Sequence, residues 1–276
     1  YIINIIKKKG GIFMNSSDFR KEARNQLNGK WKNVVLITLA YFIINFVLNL
    51  IQENIPENSF LYFIFSVIML VIDIPLAFGF TKALLDTYNE KETSSFSFVS
   101  LAFSNFSRSW KIALKVFLKL LLPVIICVIS IVLIIIGAGS SIVTGLSLGT
   151  FSAGSLVLIL IGFILYLASF IWLIMKSYYY SLAQIIAADD ESLNPTESVE
   201  KSYNLMKGNR GKLFILQLSF IGWAILSIFT LGIGYLWLVP YIQFAEIAFY
   251  KYFLDKNDTK KENNTEPTDN NPIQNQ

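Results

Sequence analysis

Residues 112–136 read IALKVFLKLLLPVIICVISIVLIII, an apolar block that carries Lys115 and Lys119 near its start and no other charge. A helix of about 20 residues crosses a hydrocarbon core of about 30 Å, because each residue rises about 1.5 Å. Five further apolar blocks of similar length are 34–51, 60–85, 156–175, 213–231 and 235–253. This pattern predicts an all-α fold, a polytopic transmembrane helical bundle of about six spans arranged as three hairpins, with short interfacial helices.

The composition limits the kinds of catalytic and metal-binding site that the chain can form. Hydrophobic residues make up 54% of the 276 residues and charged residues 15%, whereas a soluble domain carries about 25% charged residues. The sequence has no histidine and one cysteine, Cys127, which excludes histidine dyads, histidine-ligated metals and intramolecular disulfides. We therefore expect no cofactor and no enzymatic activity, since only a lone acid such as Glu246 is left to act as a general base.

The positions of lysine and arginine predict how the chain is threaded. The entry segment, the connections after the second and fourth blocks and the final segment are basic, whereas the tips 52–59 and 232–234 and the loop 137–155 carry no lysine or arginine. Cations concentrate in the cytoplasmic loops of membrane proteins. The pattern predicts a multi-pass protein of a bacterial cytoplasmic membrane with both termini in the cytoplasm. Because the cations are not pooled in one patch, we expect no nucleic-acid partner.

Four segments divide the chain. Residues 1–13 are interpreted as a mis-translated leader, because the codons for residues 9–14 can contain a ribosome-binding sequence just before an ATG for Met14. Residues 14–33 are predicted to hold a basic amphipathic cytoplasmic helix, 34–253 a six-span domain and 254–276 a disordered cytoplasmic tail. Within the six-span domain, Asn194 followed by Pro195 predicts the start of a short helix and Gly208 its end.

The first helix offers candidate lipid contacts. Phe19, Ala23 and Leu27 recur at the spacing of one helical face, and Arg20, Lys21 and Arg24 lie off that face. A helix of this kind rests on the inner leaflet, where each cation near anionic lipid is worth about 1 kcal/mol. Lipid sensing is one interpretation, and an ordinary juxtamembrane anchor is the other.

Two acids lie inside apolar blocks. Asp73 precedes Pro75 in the second block, and Glu246 lies in the sixth. Ionisable residues inside the bilayer are costly and often functional. Lys115 and Lys119 are candidate partners for either acid in a structural pair, and a proton or substrate relay is the alternative.

The C-terminal part of the sequence resembles a family of bacterial integral-membrane proteins, domain of unknown function 975. The resemblance covers residues 178–253 and extends to the entry helix at 19–31. It is carried by the strings YSLA (180–183), EKS (200–202), LMKGN (205–209), KLF (212–214), LSFIGW (218–223), LGIG (231–234), LWL (236–238), PY (240–241) and AFY (248–250). It implies a membrane protein without an assigned reaction.

Three functions are compatible with this sequence. The first is a non-enzymatic integral membrane protein that acts through contacts with membrane lipids, a membrane-protein partner or a second copy of itself. The second is a small transporter or permease subunit that uses Asp73 and Glu246. The third, a membrane-embedded enzyme, has the least support.

Overall fold

The computed structural model describes residues 14–148 and 152–265, and helices account for nearly all of them. The predicted all-α fold is confirmed. The predicted leader, residues 1–13, lies outside the described residues. Over the described residues the helices are α1 (Ser16–Leu27), α2 (Trp31–Glu53), α3 (Phe60–Tyr88), α4 (Ser97–Ser104), α5 (Phe106–Leu148), α6 (Ala153–Ser177), α7 (Ala183–Asp189), α8 (Pro195–Met206), α9 (Arg210–Leu218), α10 (Ile221–Phe229) and α11 (Tyr235–Thr265). A 3-10 turn, Tyr178–Tyr180, follows α6.

Two short helices begin at the caps that their sequences supply. At α1, the Asn15 side chain accepts from the Asp18 N–H and the Asp18 carboxylate accepts from the Asn15 N–H, each at 3.1 Å. At α8, the Asn194 side chain accepts from the N–H groups of Thr196 and Glu197. Such reciprocal caps satisfy N–H groups that the first helical turn leaves free.

Five segments are long and apolar enough to cross a membrane, namely Trp31–Glu53, Phe60–Tyr88, Phe106–Ser147, Ala153–Asp189 and Arg210–Phe229. The chain therefore has the fold of a polytopic helical membrane protein. The sixth predicted segment, 235–253, forms the first part of α11. Helix α11 continues to Thr265, so the predicted disordered tail is wrong over residues 254–265. The rest of the tail, 266–276, lies outside the described residues.

The predicted loop 137–155 is wrong over residues 137–148, which continue α5. Hydroxyl groups in this stretch bond back to the preceding turn, as Ser140 does to the Gly137 carbonyl at 2.9 Å. A Cβ atom on Gly137 would lie 2.8 Å from the Ile159 side chain, so α5 and α6 are in close contact here. Packing against α6 outweighs the weak helix propensity of glycine and serine.

The described residues divide into two compact units, one of residues 14–104 and 211–265 and one of residues 105–148 and 152–210. In the first unit, the apolar face of α1 packs on α11, and the ring centroid of Phe19 lies 5.2 Å from that of Phe249 and 5.6 Å from that of Tyr252. Helix α4 crosses α3 at Gly79, where an added Cβ would lie 2.7 Å from the Ala102 nitrogen and closer still to the Phe98 carbonyl oxygen.

The second unit is the α5–α6 hairpin together with α7 and α8. Gly162 of α6 lies against the Ile134 side chain and the Ser130 carbonyl of α5. The Arg108 guanidinium donates to the carbonyls of Ala187, Asp190 and Glu191 at 2.9–3.2 Å, and so caps the end of α7. The Ser192 hydroxyl lies 2.6 Å from the Asp190 carboxylate and lowers the pKa of that carboxyl.

Candidate functional site

The first unit contains a cleft of about 440 Å³ whose lining is mostly apolar and includes three tryptophans and a tyrosine. We call it the tryptophan cleft. The residues that define its walls and its charged end are Arg24, Trp31, Trp223, Leu226, Trp237 and Tyr241. Trp223 and Trp237 remain 55% and 48% exposed, so the cleft opens outward along one side. Its shape and apolar lining are those of a ligand site.

Helices α10 and α11 build the apolar part of the cleft because they approach each other closely. A Cβ atom on Gly234 would lie 2.6 Å from the Ser227 hydroxyl, so only glycine fits there without movement. The Ser227 hydroxyl donates to the Trp223 carbonyl at 2.8 Å. These contacts hold Trp223 on α10 and Trp237 on α11 at two sides of one cleft.

Tyr241 connects the cleft to α1. Its hydroxyl accepts from Arg24 Nη1 at 3.3 Å and donates to the Arg20 carbonyl oxygen at 3.3 Å. Its ring lies 6.5 Å from that of Trp31 and 5.0 Å from that of Phe220, measured between centroids. The cleft therefore carries one guanidinium group, and the rest of its lining is mostly apolar.

The predicted lipid contacts separate into two groups. Arg20 and Arg24 both contact the Tyr241 hydroxyl, Arg24 through its guanidinium and Arg20 through its backbone carbonyl, whereas Lys21 is exposed and does not line the cleft. Arg20 Nη1 donates to the Ser219 carbonyl at 3.4 Å, and Arg20 Nε is buried without a hydrogen-bond partner among the described residues. The apolar face of α1 is covered by α11, so it is not free to rest on lipid as the sequence predicted.

The ionisable residues predicted to lie inside the membrane differ in their burial and in their hydrogen-bond partners. Glu246 is mostly buried and accepts a 2.7 Å hydrogen bond from Gln217 Nε2 of α9. Asp73 is exposed on α3. Lys115 and Lys119 are exposed on α5, which belongs to the second unit. Pairing of these lysines with either acid stays a prediction.

A buried polar group in the first unit was missed by the sequence reasoning. Glu22, Lys82, Asp86 and Tyr88 are each at most 9% exposed. Gln26 donates to the Glu22 carboxylate at 3.0 Å, and Lys91 donates to Asp86 at 2.9 Å. Lys82 and Asp86 are four residues apart, the spacing of one helical face, and that spacing was the available signal.

A wider polar cavity of about 870 Å³ lies beside this group, between the start of α2 and the connection from α3 to α4. Asn33 Nδ2 donates to the Thr93 hydroxyl at 2.8 Å, and the hydroxyls of Thr87 and Thr93 are 2.7 Å apart. Lys30 lies 3.7 Å from Glu90. These contacts hold the α3–α4 connection against the start of α2, so the residues of this cavity have a structural role.

The architecture defines the chain as a polytopic helical membrane protein, several of whose helices can each cross a bilayer. The family model described as "Protein of unknown function (DUF975)" matches residues 14–257, and the chain therefore belongs to that family. The resemblance inferred from the sequence is confirmed. No curated protein and no solved structure matches the chain.

Proposed function

We propose that this protein acts without catalysing a reaction, through contact with membrane lipid, and that the tryptophan cleft is its lipid-contact site. The observation that carries the proposal is the pairing of an apolar aromatic cleft with Arg24 at one end. A phospholipid has the same division between an acyl chain and a phosphate. Tryptophan is enriched where membrane and water meet, and guanidinium groups suit phosphate oxygens.

The alternation of basic and cation-free connections supports a bacterial cytoplasmic membrane with α1 on the cytoplasmic side. In that orientation Arg20, Lys21 and Arg24 face the leaflet that holds most anionic lipid. The lipid is then the first partner of the protein. A membrane-protein partner or a second copy of the chain is the other class of contact expected from the sequence, and co-purification detects it in the same experiment.

The lipid proposal predicts a specific loss in Arg24→Gln. After purification in mild detergent, we expect the wild-type protein to retain anionic phospholipid, and the variant to retain at least tenfold less, because one hydrogen bond to a charged group is worth about 1.5–3 kcal/mol. Mass spectrometry of the extracted lipid measures the amount. Lys21→Gln is the matched control, since it removes an exposed cation from the same helix outside the cleft, and it should retain more phospholipid than Arg24→Gln does.

The proposal fails if Arg24→Gln and Lys21→Gln retain equal amounts of lipid. It also fails if the wild-type protein carries no more phospholipid than an unrelated membrane protein purified in the same way. Gel-filtration profiles of the three proteins establish that the comparison is made on folded material.

Transport is the alternative, and the hydrogen bond that Gln217 of α9 donates to Glu246 of α11, within two apolar sequence blocks, favours it. Under the lipid proposal we expect Glu246→Gln and Asp73→Asn to fold and to complement a deletion strain like the wild type. An amide at position 246 still bonds to Gln217, so the loss of stability should stay below about 1.5 kcal/mol. Folded yield and complementation measure this. Variants that fold normally and do not complement would favour transport.

A further inference from the structure

The turn between α10 and α11 exposes apolar side chains. Leu231 is 94% exposed and Phe229 79% exposed, and Ile228 and Ile233 are also exposed. The tip between α2 and α3 is different, because residues 52–59 read QENIPENS and are mostly polar. A polar tip is typical of a water-facing loop, whereas exposed leucine and phenylalanine in a stretch without charged residues (213–245) indicate a hydrocarbon environment.

The backbone of the same turn is hydrogen-bonded internally. The N–H groups of Leu231, Gly232 and Ile233 donate to the carbonyls of Ile228, Ser227 and Thr230 at 3.0–3.1 Å. The Gly234 N–H donates to the Thr230 hydroxyl at 2.9 Å, and the Tyr235 N–H donates to the Gly232 carbonyl at 3.0 Å. Hydrocarbon offers no hydrogen-bond partner, so a turn within it must satisfy its own N–H groups. This turn does so.

The distance from Tyr241 to the tip limits how far this hairpin reaches. Tyr241 contacts Arg24 of α1 and Trp31 at the start of α2, side chains that belong at the headgroup level. It lies seven residues after Gly234, which corresponds to about 10 Å of helix. By contrast, α2 contains 23 residues and rises about 33 Å from Trp31 to Glu53. The tip can therefore reach only about a third of the way across a core of about 30 Å.

We propose that α10 and the first two turns of α11 form a re-entrant hairpin that enters and leaves the membrane on the side of α1. The partner that covers the exposed apolar side chains of this hairpin is lipid, namely the acyl chains of the leaflet on that side. A full crossing would instead place α1, with exposed Lys21 and Asn25, deep in hydrocarbon. The sequence counted residues 213–231 and 235–253 as two spans. A re-entrant hairpin keeps the two termini on one side, as two spans would.

The inference goes beyond the lipid-contact function, since it does not depend on what binds beside Arg24. Its test uses single cysteines in a Cys127→Ala background. Phe229→Cys probes the tip in ordinary helical backbone, and Leu231→Cys is a second tip variant if the first does not fold. Asn58→Cys marks the α2–α3 tip and Lys21→Cys marks α1. A membrane-impermeant maleimide is applied to sealed vesicles of each orientation, and a nitroxide on each cysteine reports its depth.

From each side of the membrane, we expect the tip cysteine to react with the maleimide at least tenfold more slowly than the control cysteine exposed on that side. In detergent, the tip cysteine should react readily. Its nitroxide should lie about 10 Å below the phosphates of the leaflet that faces Lys21→Cys. Reaction from the Asn58→Cys side, or a nitroxide depth in that leaflet, overturns the proposal in favour of a full crossing. Rapid reaction from the Lys21→Cys side overturns it in favour of a hairpin outside the membrane.

Discussion

Gly79→Ala is expected to destabilise the protein by about 3 kcal/mol or more, the upper end of what overpacking costs. The added Cβ would meet the Phe98 carbonyl oxygen and the Ala102 nitrogen of α4. Both are backbone atoms, so no side chain can rotate away, and α4 must move as a whole. Phe98 and Ala102 are buried in the first unit, so the movement also disturbs the core beneath.

The midpoint of unfolding by SDS in mixed micelles measures this loss. Gly139→Ala is the control, because a Cβ there has nothing within 4 Å. In a helix interior alanine is favoured over glycine by about 0.5–1 kcal/mol, so the control should be unchanged or slightly stabilised. Equal midpoints for the two variants would show that α3 and α4 are not in contact at Gly79.

Phe19→Ala is expected to cost about 3–5 kcal/mol, the range for removing a fully buried phenylalanine. Phe19 is 1% exposed between Phe249 and Tyr252 of α11. Its loss leaves a cavity where α1 meets α11, so α1 should detach before the rest of the protein unfolds. Limited trypsin digestion at Lys21 and Arg24, together with the SDS midpoint, measures the effect.

Lys21→Ala is the matched control on the same helix. Lys21 is exposed, and surface substitutions usually change stability by less than about 0.5 kcal/mol. Both variants keep the trypsin site at Arg24. If Phe19→Ala resists SDS, and cleavage at Arg24, as well as this control does, then α1 is not docked on α11 in the membrane-embedded protein.

Much of the fold could be predicted because its causes are local in the sequence. Apolar blocks predicted α2, α3 and the apolar stretches of α5 and α6, and the Asn194 cap predicted α8. The ends of helices were harder to predict where tertiary packing determines them. Residues 137–148 look like a glycine–serine loop, and they are helical because α6 lies against them.

The site was less predictable because its parts are distant in the sequence. Arg24 could be singled out by its charge on an amphipathic helix, but the hydroxyl that it contacts belongs to Tyr241, 217 residues away. Glu246 could be singled out by its charge in an apolar block, whereas its bond to Gln217 depends on how α9 meets α11. In the sequence, Trp223 and Trp237 stood out only because they belong to two of the strings that carry the family resemblance. They line one cleft because α10 and α11 approach each other closely at Gly234.

The docking of α1 on α11 also determines the order in which the nascent chain can finish folding. Phe19 and Phe249 are 230 residues apart, so the ribosome releases α1 long before its partner exists, while residues 105–210 are contiguous and can assemble earlier. Throughout that interval no protein covers the apolar face of α1, and the membrane surface is the nearest apolar phase. We therefore expect α1 to lie on the membrane surface in the nascent polypeptide and to dock on α11 once that helix has been synthesised.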